Sequence, residues 1–252
     1  MVNIAQFQIF FLTLTRILAA IIHVPVLGGR AIPNQIKLGL GLILAIFLTP
    51  LQNTPFSGDG LALPAFAAAI AKELLIGTIA GYAAVLAFGA LQITGSLMGL
   101  GSGFTAGQIL NPALEESGTS LDQIFVTTSF LIFFVLNGHH SFILGLQRTF
   151  EILPLGAELP HIAQESVMRL TGNLIATGVQ MALPILGALL LADLALGLLA
   201  RVAPQIQVFF LGIPLKIALG LAALALAIPA LALNVRAVFQ SIAPNMLLLM
   251  GK

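Results

Sequence analysis

Asp193 and Lys216 are ionisable residues set inside long apolar runs, and they are the first candidates for chemistry in this chain. Arg16, in an apolar stretch near the start, is a third. An ionisable group at membrane depth is costly, so it normally has a partner or lines a pathway. A short connection, Arg201-Val-Ala-Pro-Gln-Ile-Gln-Val208, separates the segments that carry Asp193 and Lys216. Those segments should form an antiparallel hairpin. Counting outward from Pro204 places the two residues at similar depths, offset by roughly one helical turn. Pairing would lower the cost of both charges. The alternative is that Lys216 reaches an acid on another subunit. Arg16 has two readings as well: a contact with a partner, or snorkelling from a short helix to its polar end.

Enzymatic chemistry finds little support. The chain has no Cys, which removes thiolate metal sites and disulfides. No His-Glu-x-x-His pair is present. His139 and His140 are neighbours, about 100° apart on a helix, and make a poor bidentate site. The stretch Leu100-Gly-Ser-Gly103 resembles an intramembrane serine protease motif but has Leu100 where that motif needs glycine. No glycine-rich loop ends in Gly-Lys-Ser/Thr. No catalytic residue, metal or cofactor is therefore expected. A formal net charge of +1 offers no basic patch for nucleic acid.

The segment Gly95-Ser-Leu-Met-Gly-Leu-Gly-Ser-Gly-Phe-Thr-Ala-Gly107 admits two readings. Gly95 with Gly99, and Gly103 with Gly107, have the four-residue spacing of close helix packing. Alternatively, Gly101, Gly103 and Gly107 ease the chain out of a helix, and Pro112 blocks its return. Phe104, Ile109 and Leu110 would then give a loop with an apolar tip. Non-helical backbone at membrane depth is tolerated where protein buries it or where it lines a watery cavity. Such a loop could plug a pore.

These residues sit in a chain built for a membrane. It is 59% hydrophobic and only 8% charged, against about 25% charged in soluble domains. Its mean hydropathy is +1.08. About 20 apolar residues cross a bilayer as a helix. Six segments qualify: 7–26, 36–51, 64–100, 121–153, 171–201 and 208–233. The second is short, and the third to fifth overrun a bilayer. Pro184 and Pro214 should kink the fifth and sixth. The N-terminus lacks a basic leader and Arg16 interrupts its apolar stretch, so this segment is expected to be retained. Lys and Arg are distributed with only a slight bias toward cytoplasmic termini.

With these features in hand, the sequence resembles the FliR/SctT family of type III secretion export gates over nearly its whole length. The signatures occur in order: Arg16, then Pro25-Val-Leu-Gly-Gly-Arg-Ala-Ile-Pro33 and Lys37; Gly95-Ser-Leu-Met-Gly-Leu with Gly103-Phe104 and Asn111-Pro112; Asn137-Gly-His-His140 through Leu153-Pro-Leu-Gly156; and Ala203-Pro-Gln-Ile-Gln-Val-Phe-Phe-Leu-Gly-Ile-Pro-Leu-Lys216. Gly101 and Ser102 stand where the family often has Gln and Met, and Asn111 replaces an Asp. Those departures bear on the fine contacts of a plug.

The resemblance implies an all-α membrane subunit with a FliP-like part over 1–170 and a FliQ-like hairpin and tail over 171–252. It implies assembly with FliP and FliQ subunits, FlhB and FlhA around a pore for unfolded substrates, in contact with membrane lipid of the bacterial inner membrane. The function expected is non-enzymatic flagellar protein export. The virulence injectisome counterpart is the nearest alternative. A small-solute or ion transporter, with Asp193 and Lys216 as its coupling site, is the alternative of a different class, although no paired repeat of broken helices supports it.

Overall fold

A computed structural model describes residues 3–29, 32–52, 60–103, 120–159, 164–205 and 207–251. Among them the regular elements are helical, as the composition demands. In chain order these are α1 (Ile4–His23), α2 (Pro25–Gly28), α3 (Asn34–Leu48) with a 3-10 turn Thr49–Leu51, α4 (Leu63–Gly101), α5 (Ser120–Val135), α6 (Gly138–Ile152), α7 (Gln164–Val202), α8 (Val208–Gln240) and α9 (Ile242–Leu249). Five stretches are long and apolar enough to cross a membrane, and the bent pair α5–α6 makes up to six. The fold class expected from composition, an all-α membrane protein, is the one observed.

Local chemistry sets the helix ends. Gln6 accepts the Asn3 N–H ahead of α1 (3.3 Å). Pro25 opens α2, where its missing donor costs nothing. The basic turn that follows is closed by Lys37, whose Nζ donates to the Gly28 carbonyl at 2.8 Å. The helix α7 runs unbroken through Pro184, and α8 through Pro214 and Pro229.

One segment differs from expectation. The apolar run 121–153 is not a single helix but α5 and α6, bent by 67°. Asn137 sits between them in the left-handed region, with φ 55°. Asn tolerates that conformation better than most residues, and Gly138 then starts α6. The dipeptide Asn137-Gly138 is an ordinary turn signal; the apolar run around it masked it.

The chain divides into two compact units. The first comprises 1–88, 137–171 and 239–252. It gathers α1, α3, the first part of α4, α6 and α9 around Leu12, Ile17, Ile21, Phe142 and Leu146. The α6–α9 contact is close at Gly145, where a Cβ would come within 2.9 Å of Met246 Sδ and 3.1 Å of the Ala243 Cβ. The rings of Phe88 and Phe239 meet at a tilt of 52°, with centroids 5.1 Å apart.

The second unit comprises 89–136 and 172–238. It contains the end of α4, α5 and the long antiparallel pair α7–α8. Here Thr94 Oγ1 donates to Ala90 O (2.8 Å) and Gly178 O (3.0 Å), which satisfies a fully buried hydroxyl.

The spans differ in how much they bury. The apolar windows of α1 and α4 are 56% and 61% buried, whereas those of α3, α7 and the α8–α9 stretch are 17%, 22% and 17%. Leu190, Leu191, Leu194 and Leu198 leave an apolar stripe uncovered on α7. In a bilayer such faces meet lipid or the helices of other subunits.

Candidate functional site

The pair α7–α8 places the charges. Asp193 Oδ1 lies 2.8 Å from Lys216 Nζ, and Oδ2 accepts from it at 3.0 Å. Two further contacts fix the register. A Cβ on Gly212 would stand 3.2 Å from Leu196, and one on Gly220 would stand 3.8 Å from Leu189. All three couples are centred on the same point in the turn near Pro204, so Asp193 and Lys216 sit at one level of the hairpin. The expected offset of a helical turn is absent: Asp193 and Lys216 lie 11 and 12 residues from Pro204, a difference of about 1.5 Å along a helix. The lysine side chain is 20% exposed and the aspartate 50%. The pair therefore lies on the flank of the hairpin, and the carboxylate retains an open side.

The glycine segment begins against this pair. Helix α4 ends at Gly101, and Gly103 adopts φ +76°, a conformation glycine enters without steric penalty. Ser102 between them is fully buried; its Oγ donates to Gly99 O at 2.9 Å. Two close approaches and one ordinary contact hold the base. A Cβ on Gly101 would be 3.1 Å from Leu186 and Leu189 of α7, one on Gly220 would be 3.0 Å from Ser102, and one on Gly103 would be 3.8 Å from Lys216. Gly95 has no room for a Cβ beside Asp122 of α5. Packing and departure from the helix thus coexist: Gly95 and Gly101 pack, and Gly103 turns. Phe104, Gly107, Ile109, Leu110 and Pro112 lie outside the described residues.

Arg16 belongs to the first unit and is fully buried. Its Nε donates to Glu73 Oε2 at 2.5 Å. Its Nη1 donates to Leu153 O (2.8 Å) and Thr149 O (3.2 Å). These carbonyls belong to the end of α6, where the helix dipole favours a cation; Thr149 O also accepts the Leu153 N–H at 2.9 Å. The guanidinium lies 4.2 Å from the Phe150 ring centroid, a cation–π distance. Arg16 thus neither snorkels nor faces a surface; it ties α1 to α4 and α6.

Glu73 was not a sequence candidate. It is 1% exposed, while its neighbour Lys72, about 100° round the helix, remains half-buried. Treating adjacent Lys and Glu as each other's partners hides the acid; an unpaired buried Arg16 on another span was the available signal. Gly77 and Gly81 were also missed. A Cβ on either would collide with the α1 backbone, at the carbonyls of Arg16 and Ala20. Their four-residue spacing is the small-residue pattern of close helix approach. His139 and His140 open α6 with their rings stacked, centroids 5.2 Å apart and planes at 19°, rather than diverging. Among the described residues no cluster of three metal-ligating side chains occurs.

The arrangement offers a paired charge beside a hinged glycine segment and a second, buried charge cluster that braces the fold. The family model for bacterial export proteins, family 1, matches residues 7–242. The flagellar biosynthetic protein FliR of Escherichia coli K12 is 33% identical over 227 residues, which cover 89% of this chain and 86% of that protein. FliR of Bacillus subtilis 168 is 29% identical over 241 residues, 93% of this chain and 91% of the relative. The Yop proteins translocation protein T of Yersinia pestis is 26% identical over 216 residues, 83% and 82% of the two chains. With residues 7–242 covered by its family model, this chain belongs to the bacterial export proteins, family 1.

Proposed function

We propose that this chain is a core, non-enzymatic subunit of the flagellar type III export gate, helping to form and seal the pore through which unfolded flagellar proteins cross the inner membrane. The observation that carries this is the similarity to FliR proteins over about nine-tenths of both chains. The injectisome reading rests on the lower identity to the Yop translocation protein.

The uncovered apolar faces of α3, α7 and α8 leave surface on which helices of neighbouring subunits can pack, as an assembly role requires. FliP and FliQ subunits are the proposed neighbours, with FlhB and FlhA associated. The α7–α8 hairpin serves as the FliQ-like part, and the chain before it as the FliP-like part. Gly101, Gly103 and Gly107 act as hinges of a plug whose apolar residues are Phe104, Ile109 and Leu110, with Pro112 closing the segment. The Asp193–Lys216 pair steadies its base.

Co-expression with FliP and FliQ followed by native mass spectrometry tests this. A hetero-oligomer with this chain as the minority component is expected. A ring made only of this chain, or an autonomous monomer with solute transport activity, would overturn it. Loss of flagellar filament export on deletion of the gene separates the flagellar role from the injectisome role.

A further inference from the structure

Two residues on one face of α8 meet the end of α4 within the second unit. Gly220 follows Lys216 by four residues, about one helical turn. A Cβ on Gly220 would lie 3.0 Å from the Ser102 Cβ, and 3.8 Å from Leu121 of α5 and from Leu189 of α7. Ser102, Leu121 and Leu189 are 0%, 0% and 1% exposed. Ser102 therefore sits in a closed socket with walls from three helices, and packing of that density has no wall that yields to an added methyl.

The seat is fastened along the backbone as well. The Ser102 N–H donates to Met98 O at 3.1 Å, and its hydroxyl donates to Gly99 O at 2.9 Å. Both carbonyls belong to the last turn of α4, so Ser102 satisfies acceptors at the end of a helix.

One residue later the packing opens. A Cβ on Gly103 would stand 3.8 Å from the Lys216 Cβ, an ordinary contact. The side chains of Lys216 and Asp193 at that level are 20% and 50% exposed. Gly103 also leaves the helical backbone, at φ +76°. The edge of the close packing and the change of backbone thus fall at the same place, between Ser102 and Gly103. Local opening is cheapest where buried apolar contacts run out. We propose, on the reading of this segment as the plug, that Ser102 seated against Gly220 is its positioning residue: it fixes the point at which the segment leaves α4, and movement of the segment starts at Gly103.

The test uses the full chain in its co-purified export assembly, reconstituted into sealed vesicles that hold a pH-sensitive dye. Gly220→Ala drives a methyl onto Ser102 and should raise proton leak about fivefold, the population change that one crowded methyl brings. Ser102→Gly empties the socket and should also leak; because it removes atoms and cannot clash, it carries the test alone where Gly220→Ala fails to assemble. In the double variant the methyl on one side fills the space left on the other, and leak should fall below that of either single change. Gly212→Ala crowds only Leu196, at 3.2 Å in the same hairpin, and should stay ion-tight. An ion-tight Ser102→Gly assembly, a double variant at least as leaky as its worse parent, or equal leak from Gly212→Ala would overturn the proposal. Removal of residues 104–112 separates the two readings: if that assembly is ion-tight the plug reading fails, and if it leaks while Ser102→Gly does not, only the role of Ser102 fails.

Discussion

Arg16 Nε and Glu73 Oε2 stand 2.5 Å apart with both side chains out of solvent, 57 residues apart in sequence. The two carbonyls that Arg16 also reaches lie 133 and 137 residues away. One guanidinium thus fixes three helices at once, and its removal leaves a buried carboxylate without its cation and the Leu153 carbonyl without this donor, while Thr149 O keeps the Leu153 N–H at 2.9 Å.

Breaking a buried pair on one side costs roughly 3–5 kcal/mol, whereas replacing both members with apolar groups is often neutral. Arg16→Met and Glu73→Gln should each sharply lower the yield and thermal stability of the co-purified assembly. The double change Arg16→Met with Glu73→Leu should recover much of the loss. Equal damage in the single and double variants would mean that the carbonyl contacts at Thr149 and Leu153, rather than the ion pair, dominate.

Glycine positions separate into two kinds, and substitution should sort them. Gly77→Ala and Gly81→Ala place a methyl on the α1 backbone and should destabilise by about 1–3 kcal/mol through overpacking. Gly172, Gly187 and Gly197, all in α7, have open space at the Cβ position. Alanine there should be neutral or stabilising, by up to about 1 kcal/mol, because it favours the helix. Melting temperatures of the purified variants decide.

The bend at Asn137 rests on a left-handed backbone. Asn137→Gly should be tolerated. Asn137→Val should cost about 1–2 kcal/mol, since a β-branched residue resists that conformation. Limited proteolysis at the α5–α6 junction should accelerate in the valine variant alone.

The hairpin pair is half-exposed, so its value depends on what surrounds it: in water such pairs contribute about 1 kcal/mol or less, in an apolar setting more. Asp193→Asn and Lys216→Met should each reduce recovery of the assembly, and the exchange Asp193→Lys with Lys216→Asp should partly restore it. If both single changes are harmless, water surrounds the pair in the assembly.

Sealing makes a further demand. A pore that admits an unfolded chain leaks ions unless an apolar constriction dewets it. Removing residues 104–112 should raise proton and sodium leak and slow growth while the assembly still forms. Phe104→Asp should do so more mildly. An ion-tight deletion assembly would place the seal in another segment.

The positions of the helices were legible because period and length do not depend on neighbours. Val208 to Lys216 reads as one turn and one span whatever packs beside it, and the Asp193–Lys216 level follows from counting along two rigid rods. Arg16 with Glu73 was not legible, because nothing local specifies which of several spans an arginine faces. Asn137-Gly138 carried its signal openly but inside a run apolar enough to look continuous. The close approach at Gly77 and Gly81 shared its spacing with Gly95 and Gly99, and spacing alone does not say which glycines meet a backbone.

The common centre of the three α7–α8 couples has a consequence for how such chains can change over time. Inserting or deleting one residue inside either helix, between Leu196 and Val202 or between Val208 and Gly212, would shift everything beyond it by about 1.5 Å and turn it by about 100°. Asp193 would lose Lys216, Leu196 would lose Gly212, and Leu189 would lose Gly220 in a single event. The connection between the helices can absorb an added residue by bulging, whereas the helical runs cannot. Length variation among relatives should therefore collect in the connections and be absent from these two stretches.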